Sequence, residues 1–221
     1  MYLIDTMVLS ELRRRQRDPG VVAWMAAVFY LPRILVNIAE AGNEPAVRAR
    51  LVLMGRRLVE AGVSLVQVNW YRGADEPSDA PCWDSHARET QRLKDVLCPS
   101  ADQALAALLE DLSERGLLDE TLVVMMGEMG RTPRINKDAG RDHWSQCQTV
   151  ILAGGGIRRG AVVGASDETA SYPTTQPYGI QDLLRTIFGL LGVDADRIYQ
   201  TPVGRPVQIV NGGHRIEELL A

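Results

Sequence analysis

The chain has 221 residues, 46% hydrophobic and 24% charged, the balance of a globular protein and not of a collagen-like, low-complexity or disordered one. Its net charge is -4, and its basic residues are 22 Arg against two Lys, scattered apart from Arg13-Arg14-Arg15 and Arg17. That pattern disfavours a nucleic-acid groove and reads the cluster as a solvated helix face.

Three cysteines, Cys82, Cys98 and Cys147, show no CxxC spacing and are expected as reduced thiols. The longest apolar run, residues 21–31, is shorter than a bilayer-spanning helix and ends at Pro32-Arg33, so no membrane span is expected. Asp5 and Glu11 interrupt the stretch where a secretory signal would lie, which places the protein in the cytoplasm by expectation.

In chain order, residues 1–4 predict a short strand, 8–15 a helix, and 21–28 a second helix opened by Asp18-Pro19-Gly20. Residues 29–43 lack periodicity and are treated as a junction. Pro45 at a first-turn position, Val47, Leu51, Met54, Leu58 and Val59 at helical spacing, and Gly62 as a stop predict an amphipathic helix. Residues 63–70 predict a strand and 71–81 a long loop. A helix is expected over 85–97 and another from Pro99-Ser100 to Gly116.

Residues 121–126 and 149–153 are short apolar runs of buried-strand length. The polar stretch 127–145 separates them, and Gly154-Gly155-Gly156 follows as a tight turn. Residues 161–163 are expected to extend a hairpin. After a polar loop over 165–177, residues 179–191 predict an amphipathic helix stopped by Gly192, and the tail holds an apolar run at 207–210 and a short helix from Arg215. Strands alternating with helices predict an α/β fold, a mainly parallel sheet with helices on both faces.

In such sheets ligands bind beyond the carboxyl ends of the strands. That rule singles out Trp83-Asp84-Ser85-His86 and the stretch containing Gly127-Glu128-Met129-Gly130-Arg131-Thr132 and Gly140-Arg141-Asp142-His143-Trp144. Carboxylates and neutral imidazoles converging from such loops suit a divalent metal, and Asp84, His86, Glu128 and His143 form a candidate set. Asp84 reads equally as the N-cap of the helix expected from Ser85. Asp142 reads as a loop ion pair that orients a neighbour without ligating. Arg131 and Arg134 either steady the loop or grip an anion through forked hydrogen bonds. Trp83 and Trp144 read as packing groups that close the pocket, and His214, after Gly212-Gly213, as a surface residue.

Residues 121–136, then Gly140-Arg141-Asp142-His143-Trp144 and residues 150–156, closely resemble the bacterial family called domain of unknown function 1501. Upstream, residues 56–62, residues 66–70 and Trp83-Asp84-Ser85-His86 extend the resemblance over 44–221. That family looks like a branch of the alkaline phosphatase and sulfatase superfamily. The resemblance implies an alkaline phosphatase-like fold, a divalent metal ion (zinc, calcium, magnesium or manganese) and a small anionic phosphate or sulfate ester as substrate. Carried over residue by residue, Asp84 and His86 would be ligands of one metal and His143 a later histidine ligand. Glu128 would stand where an aspartate is usual, and Arg131 would meet the substrate's anionic oxygens as a catalytic group.

The superfamily's nucleophile and early metal-binding aspartate come from an N-terminal part without counterpart here. The expectation is therefore a truncated domain prone to self-association through an exposed sheet edge. Residues 1–28 instead resemble the opening of VapC-like PIN-domain toxin ribonucleases, which implies Asp5 as a magnesium ligand. Met7 stands where that opening usually has Asn, and its later acidic positions have no counterpart. Three functions follow: a metal-dependent ester hydrolase, a non-catalytic remnant or binding module, and a PIN-type ribonuclease acting through Asp5.

Overall fold

Proline's missing N–H costs nothing in a helix's first turn, where the amide donors have no intrahelical acceptor. In the computed structural model, which describes residues 35–39, 45–69 and 82–221, Pro45 opens helix α1, Pro45–Glu60. The helix stops at Gly62, whose φ of 84° suits glycine. There the Val63 N–H reaches back to the Leu58 carbonyl and the Gly62 N–H to Val59, the paired bonds of a Schellman cap. Strands β1, Leu35–Ala39, and β2, Leu65–Asn69, flank α1 in sequence. They pair in parallel from Leu35 opposite Leu65 to Ala39 opposite Asn69. Strand β1 thus lies inside the segment expected as a junction. The PIN-like resemblance over 1–28, Asp5 included, lies outside the described residues.

The helical run from residue 89 is continuous where two helices were expected. It comprises α2, Glu89–Arg92, a π-helical turn, Leu93–Leu97, and α3, Cys98–Glu114. Pro99 accounts for the wide turn: it has no N–H to give to the carbonyl of Asp95, and its ring would crowd that oxygen. The Cys98 N–H bonds to Leu93, five residues back. Leu97 and Leu112 on this run are fully buried, with Ala101 and Ser100 close behind. Helix α1 packs on α3, where buried Arg56 pairs with Glu60 and lies 2.7 Å from Asp111, which Arg115 also holds at 2.7 Å.

After a 3-10 turn at Leu118–Glu120, β3, Val123–Met126, pairs antiparallel with β6, Val150–Ala153. Between them a second antiparallel ladder joins β4, Gly130–Arg131, to β5, His143–Trp144. The triple glycine after β6 forms the tight turn expected of it. All three residues have positive φ, and a Cβ on Gly154 would stand 2.3 Å from the Leu118 carbonyl oxygen. No strand forms at 161–163. Loop 165–177 is instead closed by Asp167, whose carboxylate accepts the N–H groups of Thr169, Ser171 and Tyr172.

The described residues divide into two compact units, 35–177 with Ala221, and 178–220. The second is built on α4, Ile180–Leu190, capped at Gly179. Its buried residues are Leu183, Thr186, Ile187 and Phe188 of α4 with Val210 and Ile216. Asp182 ties the unit together: one carboxylate oxygen accepts the Gly179 N–H and the other the His214 N–H, each at 2.7 Å. Antiparallel strands β7, Ile198–Gln200, and β8, Pro206–Gln208, complete it, with a 3-10 turn at Glu217–Leu219. Every ladder among the described residues is two strands wide, β1–β2 parallel and the others antiparallel. No helix among the described residues is long and apolar enough to cross a membrane.

Candidate metal centre

Three short segments without apolar periodicity meet here, held by backbone hydrogen bonds and not by a core. The segment before α2 is laced to residues 138–141. Ala87 bridges Ala139, the Arg88 and Glu89 N–H groups bond to the carbonyls of Asp138 and Ala139, and the Arg141 N–H reaches Ser85. Arg88, at φ 47°, makes the turn into α2. Helix formation therefore begins four residues later than the sequence predicts, because residues 85–88 are spent on this lacing.

Two glycines allow the approach. A Cβ on Gly140 would stand 2.0 Å from the His86 carbonyl, and one on Gly130 would stand 1.7 Å from the Cys147 carbonyl oxygen. Both distances are impossible for any other residue without moving backbone. Gly130 and Gly140 are thus explained by contact between segments.

With the segments together, the β4–β5 register sets Arg131 opposite His143, and both reach Asp84. One oxygen, Asp84 Oδ1, lies 2.8 Å from His143 Nε2 and 3.0 Å from His86 Nε2, and accepts Arg131 Nη1 at 2.7 Å. The ligand atoms of Asp84, His86 and His143 all fall within 4.8 Å of one another. The two imidazoles are tilted by 52° with centroids 4.9 Å apart. Asp84 caps no helix, and its carboxylate serves this cluster.

Glu128 is not in the triad; its Oε1 accepts Arg131 Nη2 at 2.8 Å, so the arginine forks between two carboxylates. Arg131 is the least exposed member at 15%, whereas Asp84, His86 and His143 are all 45% exposed or more. Arg134 is exposed, and its carbonyl accepts the Thr132 hydroxyl. His214 is exposed in the second unit. Trp144 gives its indole N–H to the Ser171 carbonyl and meets Tyr172 edge-on, anchoring loop 165–177 beside β5.

Electrostatics follow from the contacts. Hydrogen bonding from His143, joined by the Arg131 bond and charge and the charge of His86, holds the Asp84 carboxyl far below the usual aspartate range and outweighs the opposing effect of burial. The Asp142 carboxylate, 2.8 Å from His86 Nδ1, raises the imidazole's pKa, and Asp84 adds to it. The same bond lowers Asp142, with a contribution from Asn136. Asp142 fits the orienting role: its bond to Nδ1 leaves Nε2 directed at Asp84.

The donor set can hold a metal. One carboxylate oxygen and two imidazole nitrogens suit zinc or another borderline divalent ion, with further positions open to solvent. Tetrahedral coordination at such bond lengths separates neighbouring ligand atoms by roughly 3.3 Å, a few tenths of an ångström more than the two Asp84–histidine distances here.

Sequence reasoning missed the residues that lace the loop. Asn136 uses its whole side-chain amide there. Arg141 gives Nη1 to the carbonyls of Thr132 and Pro133, and its Nε stands 3.5 Å from buried Glu89. Burial raises the Glu89 pKa, opposed by the charge of Arg141. The one available signal was Asn136 four residues before Gly140, a spacing that suits a side-chain-closed turn.

A family model described as protein of unknown function (DUF1501) matches residues 36–220. The chain belongs to that family. The DUF1501 match opens in β1, ahead of the resemblance noted from residue 44, and takes in every member of the cluster. Residues 1–28 lie outside it. No curated protein and no solved structure matches the chain.

Proposed function

We propose that this DUF1501 chain is a metal-dependent hydrolase-like domain of the alkaline phosphatase and sulfatase superfamily, acting on small phosphate or sulfate esters. Asp84, His86 and His143 are the ligands. The single observation that carries this reading is the meeting of Asp84 Oδ1 with two imidazole Nε2 atoms, one of them 59 residues away along the chain. The β1–β2 pair is parallel, while the ladders that carry the site's motifs, β3–β6 and β4–β5, are antiparallel. A divalent ion bound there supplies Lewis acidity toward an ester oxygen. Asp142 keeps His86 turned with Nε2 inward, and Asp84 draws both histidines to one point. Arg131, on its Asp84–Glu128 fork, stands next to the space an anionic ester would enter.

A second reading has one observation in its favour. Arg131 already satisfies two carboxylates, as in a polar clasp that ties loops without turnover. Metal content of the purified protein beside an Asp84→Ala, His143→Ala double variant separates the two. Stoichiometric metal in the parent and none in the variant is expected. Absence of metal from the parent, after incubation with zinc and with manganese, overturns the hydrolase reading and leaves the clasp.

A further inference from the structure

Asn136 is saturated, and its two halves face different tasks. An asparagine amide has two N–H donors and one carbonyl oxygen with two lone pairs. Here Oδ1 accepts the N–H groups of Asp138 at 3.0 Å and Gly140 at 2.9 Å. Nδ2 donates to the His86 carbonyl at 3.1 Å and to Asp142 Oδ1 at 3.3 Å. The two backbone donors on Oδ1 settle the orientation of the amide, because a flipped amide would set N–H against N–H.

The oxygen half closes the 136–140 turn, which main-chain bonds from Asn136 N to Gly140 O and from Ala139 N to Asn136 O also hold. Aspartate offers the same oxygen, so the turn alone does not call for asparagine. The nitrogen half leaves the turn and takes hold of the candidate site twice, at the His86 main chain and at the Asp142 oxygen that lies 2.8 Å from His86 Nδ1.

We infer that Asn136 is a positioning residue for His86, fixing the Asp142 carboxylate that holds Nδ1 so that the ring is turned with Nε2 toward Asp84 and a metal. The inference rests on the metal-site reading above. Partners of this kind behind a ligating histidine are typically worth about 10- to 100-fold in metal affinity.

The decisive variant is Asn136→Asp, which retains the turn oxygen and deletes both donors. Zinc affinity is measured by competition with a chromophoric chelator, beside the thermal midpoint and the nitrogen-15 resonances of the His86 ring. A fall of about 10- to 100-fold in affinity, a midpoint close to that of the parent and loss of the Nδ1–H pattern are expected. The new carboxylate also stands against Asp142 Oδ1 and the His86 carbonyl, a repulsion that acts in the same direction, so the neutral Asn136→Ser variant is measured beside it. Unchanged or tighter binding with the His86 pattern intact overturns the inference while sparing the metal site. A parent that binds no zinc overturns both. Should Asn136→Asp fail to fold, Asn136→Ser keeps an oxygen for the turn and is too short to reach Asp142. Its affinity is expected to fall likewise, and parent-like affinity overturns the inference.

Discussion

The candidate centre and the unit built on α4 are held by opposite means. In the α4 unit, Leu183, Ile187 and Phe188 are nearly or fully buried with Val210 and Ile216, and the polar groups serve that core. Thr186, wholly buried, donates to the Asp182 carbonyl and accepts the Ile216 N–H. Around Asp84 the order is reversed: the side chains of interest are exposed, and backbone bonds, two glycines and one asparagine bring them together. Apolar burial tolerates solvent exclusion only, whereas a site must keep lone pairs open to solvent and so is assembled from hydrogen bonds of known direction.

The contrast can be broken first where the expected effect is largest. Phe188 is 2% exposed, so Phe188→Ala is expected to cost about 3–5 kcal/mol of unfolding free energy, read by denaturant titration. A loss below about 1 kcal/mol would mean that apolar burial does not hold this unit.

Asp182 tests the polar part of the same unit. Hydrogen bonds from the His214 and Gly179 N–H groups lower its pKa in the fold. Its contribution is therefore present above the unfolded value, about 3.9, and is lost as pH falls through the lower folded value. Asp182→Asn is expected to lose about 0.5–1.5 kcal/mol at neutral pH, the net worth of the hydrogen bond given up when one carboxylate oxygen becomes an amide nitrogen. The gap from the parent should narrow below about pH 4. A gap independent of pH would reassign the effect to packing.

The smallest effect sharpens the other side of the comparison. Arg131 competes with any cation for Asp84 Oδ1. Arg131→Ala is therefore expected to tighten zinc binding about three- to fivefold, the worth of an exposed ion pair near 1 kcal/mol. Weaker zinc binding in that variant would make the arginine a support of the ligand and not its competitor.

Legibility followed the kind of force involved. Helix α1 and helix α4 were readable because apolar spacing, a first-turn proline and terminal glycines act within a few residues. The triple glycine was readable as a turn for the same reason. Strand β1 was hidden among residues without periodicity, since its five residues declare themselves only by pairing with β2. The π-helical turn was hidden because Pro99, read as a helix start, is absorbed by widening the helix. Asp84, His86 and His143 were singled out as chemistry-bearing residue types after strands. That they share one oxygen, while Glu128 meets it only through Arg131, was not visible.

Residue type and spacing by themselves determined helices α1 and α4 with their stops, the triple-glycine turn and a short list of metal-competent side chains, because each of these acts locally along the chain. Tertiary structure alone decided which of those side chains meet. Convergence depends on backbone contact between segments near residues 86, 130 and 140, and on the capacity of one asparagine to give two hydrogen bonds while accepting two. Contact of that kind spans fifty residues of chain or more and leaves no periodic trace in the sequence.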